Sequence, residues 1–329
     1  MKQDLKSLKH ITDPIFEDIK LFEKEFRNAL RSEVRLINLI GKYILRHKGK
    51  HIRPVLTLLA SRVCGQPTIN SYRAAAMIEL LHIATLIHDD VVDEAEKRRG
   101  FLSIKAVWKN KIAVLMGDFM LSKALINMVG LKDFSALQLI ADTAEKLSAG
   151  EILQIEKSLT KSMTENVYYD MIYQKTASLI STSCELGAIT STGKEKDRKA
   201  MVTYGTKLGM AFQVKDDLFD LLGNETQTGK DIGADIKRNM VTLPLIHTYE
   251  KLSKVETRQL KKILSLKKKT CANLNDLKEI VTSAGGFNYA EQKIEEFNHQ
   301  ALDAISPYPD SPYKQSMVDL ISFNAQRVG

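Results

Sequence analysis

A chain of 329 residues, 44% hydrophobic and 27% charged, has the make-up of a globular protein with a sizeable core, in one large domain or two ordinary ones. Seven prolines and 17 glycines are few, which favours long helices over turn-rich β structure, and Cys64, Cys184 and Cys271 show neither metal-ligand spacing nor a disulfide framework. The net charge of +8 suits anionic ligands or a membrane surface; nucleic acid is set aside because the lysines are scattered and no nucleic-acid motif is found.

Taken in order, Met1-Lys2-Gln3-Asp4-Leu5 lacks the apolar run of a signal peptide, and no stretch of about 18 or more apolar residues is found, so the expectation is a cytoplasmic protein with no transmembrane segment. Asp13-Pro14 starts a helix over 15–29, and 34–45 reads as the next. Gly49 breaks the pattern, Arg53-Pro54 opens a helix over 55–64, and Gly65-Gln66-Pro67 breaks it again. Lys50 and Arg53 then stand at a helix N-terminus, where backbone N–H groups favour anions.

The following helix runs through Leu81-His82-Ile83-Ala84-Thr85-Leu86-Ile87-His88 and ends in Asp89, Asp90 and Asp93, with Arg98-Arg99-Gly100 behind them. Asp89 and Asp93, four residues apart, share a helix face and repel unless a cation sits between them. An all-oxygen site of this kind suits a hard divalent ion, magnesium above all when phosphate completes the shell, and guanidinium forks match phosphate oxygens. One such string reads equally well as an acidic helix end running into a solvated loop.

Beyond it, a short helix around Trp108 precedes long helices over 112–129, 134–159 and 167–186, the last carrying Tyr173, Lys175 and Thr176. A helix over 196–222 then repeats the acidic pattern in Phe212-Gln213-Val214-Lys215-Asp216-Asp217-Leu218-Phe219-Asp220. The repetition decides between the readings: two carboxylate clusters, each trailed by basic residues, describe a cavity holding metal ions and a diphosphate between facing helices. The polar loop 223–235, with Lys230 in it, suits a lid over phosphates; helices over 251–264, 274–283, 288–305 and 316–328 complete an all-α chain. Lys267-Lys268-Lys269 reads as a solvated loop able to touch anionic lipid.

The paired acidic motifs, with Lys175-Thr176 between them and Gly49-Lys50-His51-Ile52-Arg53-Pro54 upstream, resemble the trans-type polyprenyl diphosphate synthases from about residue 40 to the end. The resemblance implies a single domain over 1–329, a bundle of roughly ten or more helices around a central cavity. It implies 1′-4 head-to-tail elongation of an allylic prenyl diphosphate by isopentenyl diphosphate, with magnesium, in a homodimer, and peripheral membrane contact for product release. Asp89, Asp93 and Asp216 would be direct metal ligands; Asp90, Asp217 and Asp220 would act through water or by orienting the others. Lys50, Arg53, His82 and Arg99 would hold the second substrate's diphosphate. Arg98, Lys175, Thr176, Gln213 and Lys230 would contact substrate on the allylic side. His88 has no such match and reads as structural. One departure stands at Met240, where the family usually carries a lysine before Thr-Leu-Pro; Lys237 or Arg238 substitutes, or one contact is missing.

Leu81, Ala84 and Thr85 fall on the stripe leading away from Asp89 into the bundle. Relatives that stop at short products tend to hold bulky aromatics at the places of Ala84 and Thr85, so an open tunnel and a product longer than farnesyl are expected. The alternatives are a non-catalytic or partner-dependent subunit of a heteromeric synthase, and a terpene cyclase. Such subunits typically lose acidic clusters, and cyclases lack the second diphosphate site.

Overall fold

The computed structural model describes residues 8–47, 49–98, 100–160, 162–222, 240–266 and 270–326. A 3₁₀ turn, Asp13–Ile15, leads into α1 (Phe16–Ala29), followed by α2 (Arg35–Arg46), α3 (Ile52–Cys64) and α4 (Ile69–Val92). A two-stranded antiparallel hairpin, β1 (Lys97–Arg98) and β2 (Phe101–Leu102), pairs Lys97 with Leu102 and Arg98 with Phe101. Then come α5 (Ile104–Val129), α6 (Phe134–Thr160), α7 (Glu165–Ile172), a π-helical turn (Tyr173–Ala177), α8 (Ser178–Ser191) and α9 (Glu195–Leu222). The chain finishes with α10 (Leu243–Lys251), α11 (Lys254–Ser265), α12 (Cys271–Ser283), α13 (Gly286–Ile305) and α14 (Pro312–Gln326). The fold is all-α.

α4 is the central helix. Thr68 and Ser71 form a reciprocal capping box at its start, satisfying backbone donors that a helix N-terminus leaves open. Its middle, from Ala74 through Leu81, is buried on every side, as expected of a helix surrounded by others rather than laid on a surface. It packs along α5, while α3 lies against α8, and α9 against both α8 and α13. Two apolar clusters result, and α9 enters both, through Met201, Tyr204 and Leu208 in the first and Met210, Val214, Leu218 and Leu221 in the second.

Four features depart from the sequence expectations. The hairpin at 97–102 is too short to carry a periodic signal. Pro244 in the first turn starts α10, which was not anticipated; a helix tolerates proline there because that N–H has no intrahelical partner. The expected continuous helix over 167–186 is instead α7, a π turn and α8. Finally, α5 is long and apolar enough to cross a membrane, contrary to the expectation that no such stretch exists. Its charged residues are spaced widely enough to leave an apolar window, and one face, including Ala113, Met116, Met120 and Ala124, is buried in the bundle. Lys109, at φ 71°, separates a short helix around Trp108 from the long one.

Candidate active site

The apolar run of α4 carries Asp89, Asp90 and Asp93 to its C-terminal end, where the helix dipole is unfavourable to carboxylates. The Asp93 N–H still donates to the Asp89 carbonyl (2.8 Å), so both acids stay on the last turn. Asp90 is buried and accepts from Arg98 Nε at 2.7 Å. Burial raises its carboxyl above the usual range while that guanidinium pulls the other way. Asp89 is pushed up to about 6, first by burial and then by Glu151 and Asp93, against the opposing pull of Lys175 and Arg98. A half-buried carboxylate crowded by other carboxylates is a place where a cation lowers the free energy.

Lys175 faces this end from the π turn. Its ammonium pairs with Glu151 Oε2 (2.5 Å) and donates to Gln154 Oε1 (2.9 Å), both on α6. Gly150 allows the approach: a Cβ there would lie 2.8 Å from the Lys175 backbone nitrogen and 2.9 Å from Gln174 Cβ. The next residue points elsewhere. Thr176 donates to Gln213 Oε1 (2.6 Å), Gln213 Nε2 donates to Asp217 Oδ1 (2.7 Å), and the buried Tyr168 hydroxyl donates to Asp217 Oδ2 (2.7 Å). Asp217 is thus held inward, while Asp216 and Asp220 are half-buried on either side of it.

A second cluster lies where α3 begins. Arg53 Nη1 donates to His82 Nε2 at 2.9 Å; because arginine only donates, this nitrogen accepts, and the neutral His82 ring carries its proton on Nδ1. His51 Nδ1 lies 2.9 Å from Glu79 Oε1. Gly49, His51, Glu79, His82, Asp90 and Arg98 share one cleft, so the structure gathers Arg53, His82 and Arg98 around it. Lys50 is less clearly part of it: its ammonium sits over the ring of Phe323 in α14, 5.0 Å from the centroid. Arg99, Lys230, Lys237, Arg238 and the lysine run 267–269 lie outside the described residues.

Along the stripe behind Asp89, Leu81 and Ala84 are only 1% and 2% exposed, and Thr85 turns its hydroxyl to the His82 carbonyl (2.8 Å). The expected open tunnel is therefore packed over at Leu81 and Ala84. His88, on the same stripe, lies over Gly117, whose missing Cβ would come within 2.3 Å of Nε2. Sequence reasoning missed Glu79, Glu151, Gln154 and Tyr168. The available signal for Glu151 and Gln154 was a Gly-Glu step, with an amide one turn on, inside an otherwise apolar helix.

Among the described residues no three His, Cys, Asp or Glu side chains converge closely enough to hold an ion alone. The donor set nonetheless fits a hard cation: it is all carboxylate oxygen, with surplus negative charge at Asp89. Two acid-bearing helix ends, a lysine and an arginine cleft in an all-α bundle define a helical enzyme for polyanionic substrates. The polyprenyl synthetase family model matches residues 34–283, and the chain belongs to that family. It is a polyprenyl diphosphate synthase, a prenyltransferase. It is similar to an octaprenyl diphosphate synthase of Haemophilus influenzae (33% identity, covering 99% of each chain). It is also similar to component 2 of a heptaprenyl diphosphate synthase of Bacillus subtilis (38% identity, covering 94% of this chain and 88% of that one). A polyprenyl synthase of Caulobacter crescentus, solved with calcium and isoprenyl diphosphate, matches with a TM-score of 0.88 at 27% identity over 97% of this chain and 98% of that one.

Proposed function

We propose that this chain joins isopentenyl diphosphate to an allylic prenyl diphosphate, head to tail and in the trans configuration, and repeats the step to a product longer than farnesyl. The observation that carries this is the pair of acid-bearing helix ends with Lys175 between them. Divalent ions, magnesium in this reading, would be held by Asp89, Asp93 and Asp216 and would neutralise the departing diphosphate. Lys175 and Thr176 orient the allylic diphosphate, with Arg98, Gln213 and Lys230 assisting. Asp90, Asp217 and Asp220 fix the direct ligands in place. Lys50, Arg53, His82 and Arg99 hold isopentenyl diphosphate so that its double bond meets the ionised allylic carbon. The proton released in forming the new double bond goes to the diphosphate that has left, so no side-chain base is required. Met240 leaves the allylic diphosphate with Lys237 or Arg238 as its further cation, or with one contact fewer.

Product length supports a path past Leu81, Ala84 and Thr85, although Ala84 and Leu81 are covered. Buried Met116 and Met120 on α5 are unbranched side chains that can swing aside for a prenyl tail. We further read the chain as one domain over 1–329, cytoplasmic and homodimeric, with peripheral membrane contact as product leaves. The pairing is supported by exposed apolar side chains along α5 and α6: Leu115, Ile126, Val129, Phe134, Ile152 and Leu159.

The test is incubation with isopentenyl diphosphate and a panel of allylic primers, with and without magnesium, reading products by mass spectrometry. A metal-dependent series ending in one long prenyl diphosphate is expected. Because the Bacillus relative is named as a component, a partner-dependent subunit is the second reading, and no elongation by the isolated chain with any primer would favour it.

A further inference from the structure

We infer that Glu79 is a positioning residue for the isopentenyl diphosphate site, acting through His51; this rests on reading Lys50, Arg53 and His82 as that site. His51 is the N-cap of α3 and has left-handed backbone angles, φ 49° and ψ 37°, which L side chains disfavour. Its side chain makes no capping bond to offset that strain. The conformation is imposed from outside. Phe22 and Phe26 of α1 meet the His51 ring edge-on, with centroids 5.6 and 6.0 Å away, and Glu79 Oε1 takes Nδ1 at 2.9 Å. A carboxylate only accepts, so Nδ1 carries the hydrogen and the ring's orientation is fixed.

Glu79 lies one helical turn before His82, which accepts from Arg53. The segment 49–53 is therefore tied to α4 by two links a turn apart, His51 to Glu79 and Arg53 to His82, with Lys50 adjoining the first. Glu79 is 4% exposed and lines the same cleft as His82 and Arg98. A carboxylate beside an anion site would oppose binding if its oxygens faced the ligand; here one is engaged by the His51 ring. A buried ion pair is also weak evidence for stability as such, because desolvation consumes much of the attraction. Its position, bracing the one strained residue of an anion-binding loop, assigns it to geometry.

The test compares Glu79→Ala and Glu79→Gln by steady-state kinetics, varying isopentenyl diphosphate and the allylic primer separately. Glu79→Gln keeps an acceptor oxygen for Nδ1–H and should behave like the parent chain. Glu79→Ala should raise KM for isopentenyl diphosphate on the order of 10-fold, with kcat and the allylic KM within about twofold, as displacement of a binding group predicts. His51→Ala should do the same, and the double variant should be no worse than either single one, because both remove one link. An unchanged KM, equal losses toward both substrates, or additive effects in the double variant would overturn the inference. Should Glu79→Ala not fold, Glu79→Asp serves, since its shorter side chain withdraws the acceptor and must give the same selective rise. Arg53→Ala separates the two layers: if it leaves KM for isopentenyl diphosphate unchanged, the site reading fails, whereas a rise there with none in Glu79→Ala removes only the bracing role.

Discussion

The ends of α4 and α9 carry acids at the same spacing, yet they are held differently. In each, the middle acid is buried and the first is half-buried. Asp90 is answered by a cation, Arg98, reaching in from the hairpin. Asp217 is answered by neutral donors, the Tyr168 hydroxyl and the Gln213 amide, from inside the bundle. A guanidinium cancels charge, whereas hydroxyl and amide donors disperse it and leave it in place. The α4 end is thus partly neutralised and tied to a surface hairpin; the α9 end keeps its charge and is tied to the core. One sequence pattern has produced two electrostatic environments, and the neighbours account for the difference.

If both ends nonetheless hold metal, Asp89→Asn and Asp216→Asn should each lower kcat on the order of 10²–10³-fold at saturating magnesium, the scale seen when one group stabilising developing charge is lost. A loss below tenfold at either one would break the equivalence. A smaller effect separates the middle acids. Tyr168→Phe leaves a buried Asp217 oxygen without its donor and should cost about 1–3 kcal/mol in denaturant unfolding, with kcat changed less than tenfold. Arg98→Gln should instead appear as a raised allylic KM, because that side chain is expected to face substrate as well as Asp90.

Five residues before each first acid stands a buried alanine, Ala84 on α4 and Ala211 on α9. Ala84→Phe should shorten the product, read by mass spectrometry, if the tail follows α4. Ala211→Phe should leave product length alone and cost about 1–3 kcal/mol by overpacking. The smallest effect is in pH. Asp89 is raised from 3.8 to about 6, so the folded state binds its proton more readily than the unfolded one. Stability of the metal-free protein should therefore fall as pH rises through that window, and added magnesium should raise Tm more above pH 6 than below it. A Tm gain independent of pH would show that Asp89 does not meet the ion.

Much of this was legible in the chain. The acid triplets are local patterns, and breaks such as Gly65-Gln66-Pro67 and Gly49 bound helices whatever the rest of the fold does. What could not be read depends on distant partners. Nothing near Lys175 announces Gln154, 21 positions earlier, nor does anything near Asp217 announce Tyr168, 49 positions earlier. Arg98 illustrates a subtler gap: its sequence position suggested a substrate contact, and the bond to Asp90 emerges only when the hairpin folds back on α4. The π turn has no sequence periodicity of its own and is favoured by tertiary contacts that its extra residue permits.

That turn has a consequence for how the gene can change. An α-helix advances about 100° per residue, so the additional residue within Tyr173–Ala177 sets the rotational phase of everything in α8. Deleting one residue there would let the helix run straight and still leave every side chain chemically plausible. It would also turn the small buried residues of α8 away from α3 and α9 by more than a quarter-circle. Substitutions in this stretch are therefore graded in effect, but changes of length are not: insertions and deletions should be absent between Tyr168 and Ser191 in any functional variant recovered from a random library.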